Sequence, residues 1–203
     1  MENLLEKYEE MGLLKKDEMG LLKKMITEMR SEKEISCSKI VYSVFLEARS
    51  LYIPHKTNPQ HWIWTWDSGH EVVELQKVYW LEIKGMVDTM CLLKMTCYSA
   101  YFVFKLKQRT QWIHTALTSV RYLKDKGSYS ESRRCQVFLT KSESSKDPGQ
   151  FPNIRQDGWM EIKIGDFYVT SGNEGEVEMR LWNTENKYGK SGLIVRGVDV
   201  RPR

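Results

Sequence analysis

Two short runs, GWMEIKIG at 158–165 and GEVEMRLW at 175–182, alternate apolar and polar side chains almost residue by residue. In the second, Val177, Met179 and Leu181 face one way while Glu176, Glu178, Arg180 and Trp182 face the other. In the first, Met160, Ile162 and Ile164 oppose Trp159, Glu161 and Lys163. A period of two is the signature of a half-buried β-strand. Comparable β-branched and aromatic runs recur from residue 39 onward, at 40–47, 60–66, 71–75, 78–84, 97–107, 117–124, 135–140, 166–170 and 192–201, broken by Gly, Asn and Pro. Short strands at this spacing predict two packed antiparallel sheets rather than βαβ units. CYSAYFVFKLK at 97–107 is apolar on both faces, with Tyr98, Ala100, Phe102, Phe104 and Leu106 in one row, so it reads as a central strand. Between 125 and 157 the polar stretches SESRR and KSESSKDPGQFP predict long loops around the short strand at 135–140.

The first residues are written differently. Residues 2–30 are rich in Glu, Lys, Leu and Met, lack Pro, and carry MGLLKK twice, which predicts a helix. The chain therefore divides into a helical leader at 1–38 and a β body at 39–203. As a heptad the seam holds Leu4, Tyr8, Met11, Lys15, Glu18, Leu22, Met25 and Met29, so two central positions are polar. Gly12 and Gly20 each cost a helix about 1 kcal/mol relative to Ala. Two roles stay open for the leader: a solvated helix, or a self-association arm giving a homodimer. With 203 residues, 41% of them hydrophobic, the chain can bury a sizeable core. No apolar run approaches the ~20 residues of a membrane span, and the charged residues 1–36 do not read as a secretory signal, so no membrane insertion and a cytoplasmic location are expected. The leader is acidic on balance and the body mildly basic, short of a dedicated nucleic-acid domain.

Cys37, Cys91, Cys97 and Cys135 form no CxxC pair, so no metal site is expected, and free thiols are the default in a reducing compartment. Cys37 stands apart in the polar stretch SEKEISCSK at the domain junction, where an exposed thiol could form an intermolecular disulfide on oxidation. There is no GxSxG, GxxxxGK[ST], HExxH or GxGxxG motif, and none of His55, His61, His70 and His114 has a neighbour that marks it as a base or ligand. The chain reads as noncatalytic and free of cofactors.

Tryptophan is the unusual residue: there are seven, and HWIWTW places three at 62, 64 and 66, on one face of one strand. Burial accounts for a majority of such rings. The polar loop PHKTNPQH at 54–61 nevertheless delivers Trp62 to a sheet edge beside His55, Asn58, Gln60 and His61, so Trp62 is expected open to solvent, with Trp64 and Trp66 packed. An indole beside oriented polar groups suits a sugar ring, and equally a nucleobase at ~1–3 kcal/mol per stacked base.

The segments EARSLYI (47–53), NPQHWIW (58–64), EVVELQKVYWLEIKG (71–85), YSAYFVFKLK (98–107), FPNIRQDGWMEIKIGDFY (151–168), EGEVEMRLW (174–182) and KSGLIVRGVDVRPR (190–203) closely resemble the phloem protein 2, or Nictaba-related, family of plant lectins. The resemblance covers residues 40–203, and the leader with KYEE and DEMG looks like that of the cucurbit phloem lectins. It implies a jelly-roll β-sandwich that binds N-acetylglucosamine oligomers and glycoproteins, in the cytoplasm of companion cells and sieve elements and in phloem sap, with self-association. It also implies RNA binding and oxidative cross-linking to the phloem filament protein.

The family's sugar-site aromatics fall in ARDLSITW followed by YW; this chain reads ARSLYIPH and then HW, so Trp62 matches the second indole and His55 replaces the first. Imidazole covers less of a sugar ring than indole, so the resemblance implies weaker binding or help from Tyr52. The acidic turn GEDGE is kept as GNEGE at 172–176, which makes Glu176 an acceptor for a sugar hydroxyl or a plain solvated carboxylate; a second acidic position is Asn183 here. Asn58, Lys187, Lys190 and Ser191 complete the neighbouring loops. The expected carbohydrate site is thus Trp62, His55, Asn58, Glu176, Lys190 and Tyr52. KSESSK at 141–146 replaces the family's lysine-rich import signal, so no autonomous nuclear import is expected, and the leader carries no F-box-like sequence.

Overall fold

A computed structural model of the chain describes residues 42–123, 134–140, 150–171, 175–184 and 187–203. The leader at 1–38, expected to be helical, and Cys37 lie outside the described residues. What is described is an all-β sandwich. Its strands are β1 (Val44–Glu47), β2 (Trp62–Asp67), β3 (His70–Leu75), β4 (Leu81–Asp88), β5 (Thr96–Gln111), β6 (Thr115–Leu123), β7 (Cys135–Phe138), β8 (Asn153–Ile154), β9 (Met160–Val169), β10 (Glu176–Asn183) and β11 (Ser191–Pro202). One sheet runs β2-β3-β11-β5-β9-β8, with β1 also paired to β11; the other runs β4-β10-β6-β7. All the ladders between strands are antiparallel. The chain changes sheet at β3–β4, β4–β5, β5–β6, β7–β8, β9–β10 and β10–β11, the repeated crossing of a jelly roll. Among the described residues no helix is long and apolar enough to cross a membrane.

The alternation does what a period of two must. In β4, Leu81, Ile83, Gly85 and Val87 are buried while Glu82, Lys84, Met86 and Asp88 are half-exposed. β5 lies between β11 and β9 and contributes Tyr98, Ala100, Phe102, Phe104 and Leu106 to one core between the sheets. The opposite face of β5 is covered too. Val103 joins Val72 and Trp159 in a small second cluster beneath Phe45 and Ile194.

The runs expected as separate strands at 158–164 and 166–170 form one strand, β9. Its register against β5 slips between Ala100 and Tyr101, so the buried parity passes from Ile162 and Ile164 to Phe167 and Val169. Gly165 sits at the slip, where the opposite sheet comes close: a Cβ there would meet Val120 Cγ2 at 2.8 Å.

The thiol expectation needs one correction. Cys97 and Cys135 are free, and Cys91 is disulfide-bonded.

Candidate functional site

Leaving β1, the chain buries Ala48, Leu51 and Ile53 and then makes a tight loop. The Asn58 N–H donates to the His55 carbonyl at 2.9 Å, the Asn58 carbonyl accepts from His61 at 3.0 Å and Trp62 at 2.9 Å, and Asn58 Oδ1 accepts from Gln60 N at 3.0 Å. His55 takes a left-handed backbone, φ +59°. Two indoles pin this loop over edge strand β2: Trp62 Nε1 donates to the Pro54 carbonyl at 3.1 Å and Trp64 Nε1 to that of Lys56 at 2.9 Å.

The facing wall comes from 76–80, where the chain leaves one sheet for the other. Gln76 N donates to the His61 carbonyl at 2.8 Å and His61 Nδ1 to the Lys77 carbonyl at 2.8 Å. Val78 and Leu81 point inward, which throws the two aromatic rings between them outward: Tyr79 is 55% exposed and Trp80 73%. Between the loop, this wall and the stretch holding Thr184 and Lys187 lies a hollow of about 680 Å³. Among its lining residues Trp62 and Val78 are buried, His55 and Trp80 are exposed, and Glu82 is the one carboxylate among those described. Glu82 is held by Arg180 at 2.6 Å and Lys84 at 3.2 Å. The imidazoles of His55 and His61 lie 5.5 Å apart.

Lys190 underpins this rim. Val78 and Lys190 exchange backbone hydrogen bonds of 3.1 and 2.7 Å, and the Lys190 ammonium, with no exposed surface, donates to the Tyr79 carbonyl at 2.5 Å. Burial pushes that ammonium below the usual lysine range. Among the described residues no group of three His, Cys, Asp or Glu side chains is arranged to hold a metal.

The expected site residues separate into those that meet here and those that do not. His55 and Trp62 line the hollow, but Trp62 is 2% exposed and belongs to the main core. It is a buried part of the lining, not the solvent-open platform expected of it. Trp66, expected to pack, is 72% exposed, while Trp64 is half-buried with the Arg49 guanidinium 4.3 Å above its ring. Asn58 spends its side chain on the loop. Tyr52 is exposed, carries Lys84 5.2 Å over its ring, and is not part of the lining. Lys190 is sealed beneath the rim and has no surface with which to touch a ligand. Glu176 pairs with Asp88 at the start of β10, whereas the hollow lies past Asn183 at its end, roughly 23 Å away along an eight-residue strand. The residues missed are Tyr79, Trp80, Glu82 and Thr184. A pair of aromatics between two inward aliphatics, V-Y-W-L, was the available signal.

A sandwich with an aromatic hollow at one edge has the form of a ligand-binding module. The chain belongs to the phloem protein 2 family, whose model matches residues 42–202. It is 37% identical over 162 residues to a putative F-box protein PP2-B12 of Arabidopsis thaliana, covering 78% of this chain and 60% of the relative. It is 32% identical over 164 residues to the F-box protein PP2-B10 of the same plant, again covering 78% and 60%. To Protein PHLOEM PROTEIN 2-LIKE A5, also of Arabidopsis thaliana, it is 30% identical over 165 residues, covering 78% of this chain and 36% of that one. The chain thus spans about 60% of the length of the first two curated relatives.

Proposed function

We propose that this chain is a noncatalytic carbohydrate-binding protein that takes N-acetylglucosamine oligomers into the hollow between His55, Trp62, Tyr79 and Trp80. One observation carries it: Trp80, 73% exposed, lines an apolar hollow on a fold of this family. The C–H face of a pyranose and an acetamido methyl pack on indole and phenol rings, and the hydroxyls find Glu82, Thr184, His61 and Lys187.

A polyanion such as RNA needs cations that are not already neutralised. On the outer face of the large sheet, Arg155, Arg196, Arg201 and Lys105 each sit on a carboxylate, at Glu161, Asp157, Asp199 and Asp67. That arrangement favours the neutral ligand. The proposal extends to a cytoplasmic protein of phloem cells, to self-association, and to oxidative cross-linking to the phloem filament protein through an exposed cysteine, for which the free and exposed Cys135 is available, the last tested by nonreducing electrophoresis of Cys135→Ser.

A glycan array probed at low and high salt tests the main reading. N-acetylglucosamine oligomers are expected to retain the protein almost equally at both, because neutral recognition releases no counterions. Retention confined to polyanions, or lost on adding salt, would overturn it.

A further inference from the structure

We propose that Trp112 and Tyr188 form a second sugar platform, continuous with the hollow, that receives further rings of a longer N-acetylglucosamine oligomer. The inference rests on the hollow being the primary sugar site.

The two rings stack at 4.2 Å between centroids and 16° between planes, yet Trp112 is 47% exposed and Tyr188 56%. Rings packed for stability go inside; these hold each other parallel at the surface. Each ring covers one face of the other and leaves a flat outer face, the shape on which a pyranose packs.

The backbone is bent to present them. Trp112, just past the end of β5, takes φ +57°, a left-handed conformation that a bulky residue rarely adopts. The register of β5 on β11 slips there, between Ser191 and Leu193, around Gly192 at φ +85°, where a Cβ would meet Thr110 Cα at 2.9 Å. Beyond the slip Gln111 pairs again with Ser191, which sets Trp112 beside the chain at Tyr188.

Continuity follows from Lys187 and Lys190. Lys187 lines the hollow and Tyr188 is its chain neighbour. The buried Lys190 ammonium lies 2.5 Å from the Tyr79 carbonyl and 3.5 Å from the Tyr188 carbonyl, which brings the hollow's wall and the stacked pair within about 6 Å of each other at those oxygens. A β-1,4-linked oligomer presents ring after ring along a line. Chains reaching past Lys187 gain the second platform, and short ones do not.

Isothermal titration with chitobiose and chitohexaose, for wild type, Trp112→Ala and Tyr188→Ala, tests this. Wild type is expected to bind chitohexaose about threefold to tenfold more tightly than chitobiose, the worth of one aromatic contact. Both variants are expected to lose most of that preference with chitobiose affinity unchanged. Trp112→Asn, which removes the ring but tolerates the left-handed backbone, repeats the test if the alanine variant does not fold. Wild-type preference persisting in the variants, or an equal loss for both sugars, would overturn the second platform while leaving the hollow in place. If wild type bound neither sugar, the hollow reading would fail and this one with it.

Discussion

The ammonium of Lys190, without exposed surface, donates to the Tyr79 carbonyl at 2.5 Å, so a buried cation holds in place the backbone of an exposed aromatic rim. Burying an ammonium is costly unless several acceptors meet it, and the Tyr188 carbonyl lies within 3.5 Å of it as well. In the proposed site Lys190 would therefore act through Tyr79 and Trp80, not by contact.

Lys190→Met keeps much of the stem but leaves the Tyr79 carbonyl without this donor. A loss of about 1–3 kcal/mol in urea unfolding is expected, together with weaker sugar binding in the fraction that stays folded. An unchanged midpoint and affinity would show that Lys190 does not hold the rim.

Trp62 and Trp80 separate core from platform. Trp62→Ala empties a site in the main core and is expected to cost about 3–5 kcal/mol, seen as a large fall in thermal midpoint. Trp80→Ala changes a mainly exposed side chain and is expected to stay within about 0.5 kcal/mol of wild type.

Asp67 provides a pH test. Its carboxyl is held below the usual aspartate range first by the hydrogen bond from Lys105, at 2.6 Å, and then by that from Ser68. A carboxyl depressed in the fold binds fewer protons than in the unfolded chain, so its stabilisation is present above the unfolded value, about 3.9, and is lost as pH falls towards the folded one. Lys105→Met removes the main cause. The gap in thermal midpoint between wild type and Lys105→Met is expected to be open at neutral pH and to narrow below about pH 4. A gap independent of pH would place the role of Lys105 in its packing 4.4 Å over the Trp159 ring instead.

Gly165→Ala sets a methyl group against Val120 across the sandwich. A loss of about 1–3 kcal/mol is expected, with recovery in the double variant Gly165→Ala, Val120→Ala, because the two sites share one space. Additive losses would mean that the strand slip, not the contact, requires glycine.

Most of the sandwich was legible because alternation reports directly which side of a strand is buried, as in β4; in β10 it understates burial, since Glu178 and Trp182 on the outward row are buried as well. It fails where parity changes inside a strand. Gly165 made one strand look like two. Alternation also gives the face but not the depth: Trp62 and Trp66 share a parity, yet one is 2% and the other 72% exposed, because edge strand β2 runs out from beneath the 54–58 loop. Tyr79 and Trp80 were hidden inside an expected strand at 78–84, since a run crossing between sheets has no period to read. Glu176 came from family correspondence, which carries residue identity and not distance; β10 places it at the far end from the hollow.

The central claim is that a sugar oligomer binds against Trp80, and isothermal titration of chitotetraose into wild type and Trp80→Ala, with thermal midpoints recorded alongside, tests it most directly. The expected result is binding to wild type that falls about tenfold or more in the variant while the midpoint stays put. Equal affinity in the two proteins would contradict it.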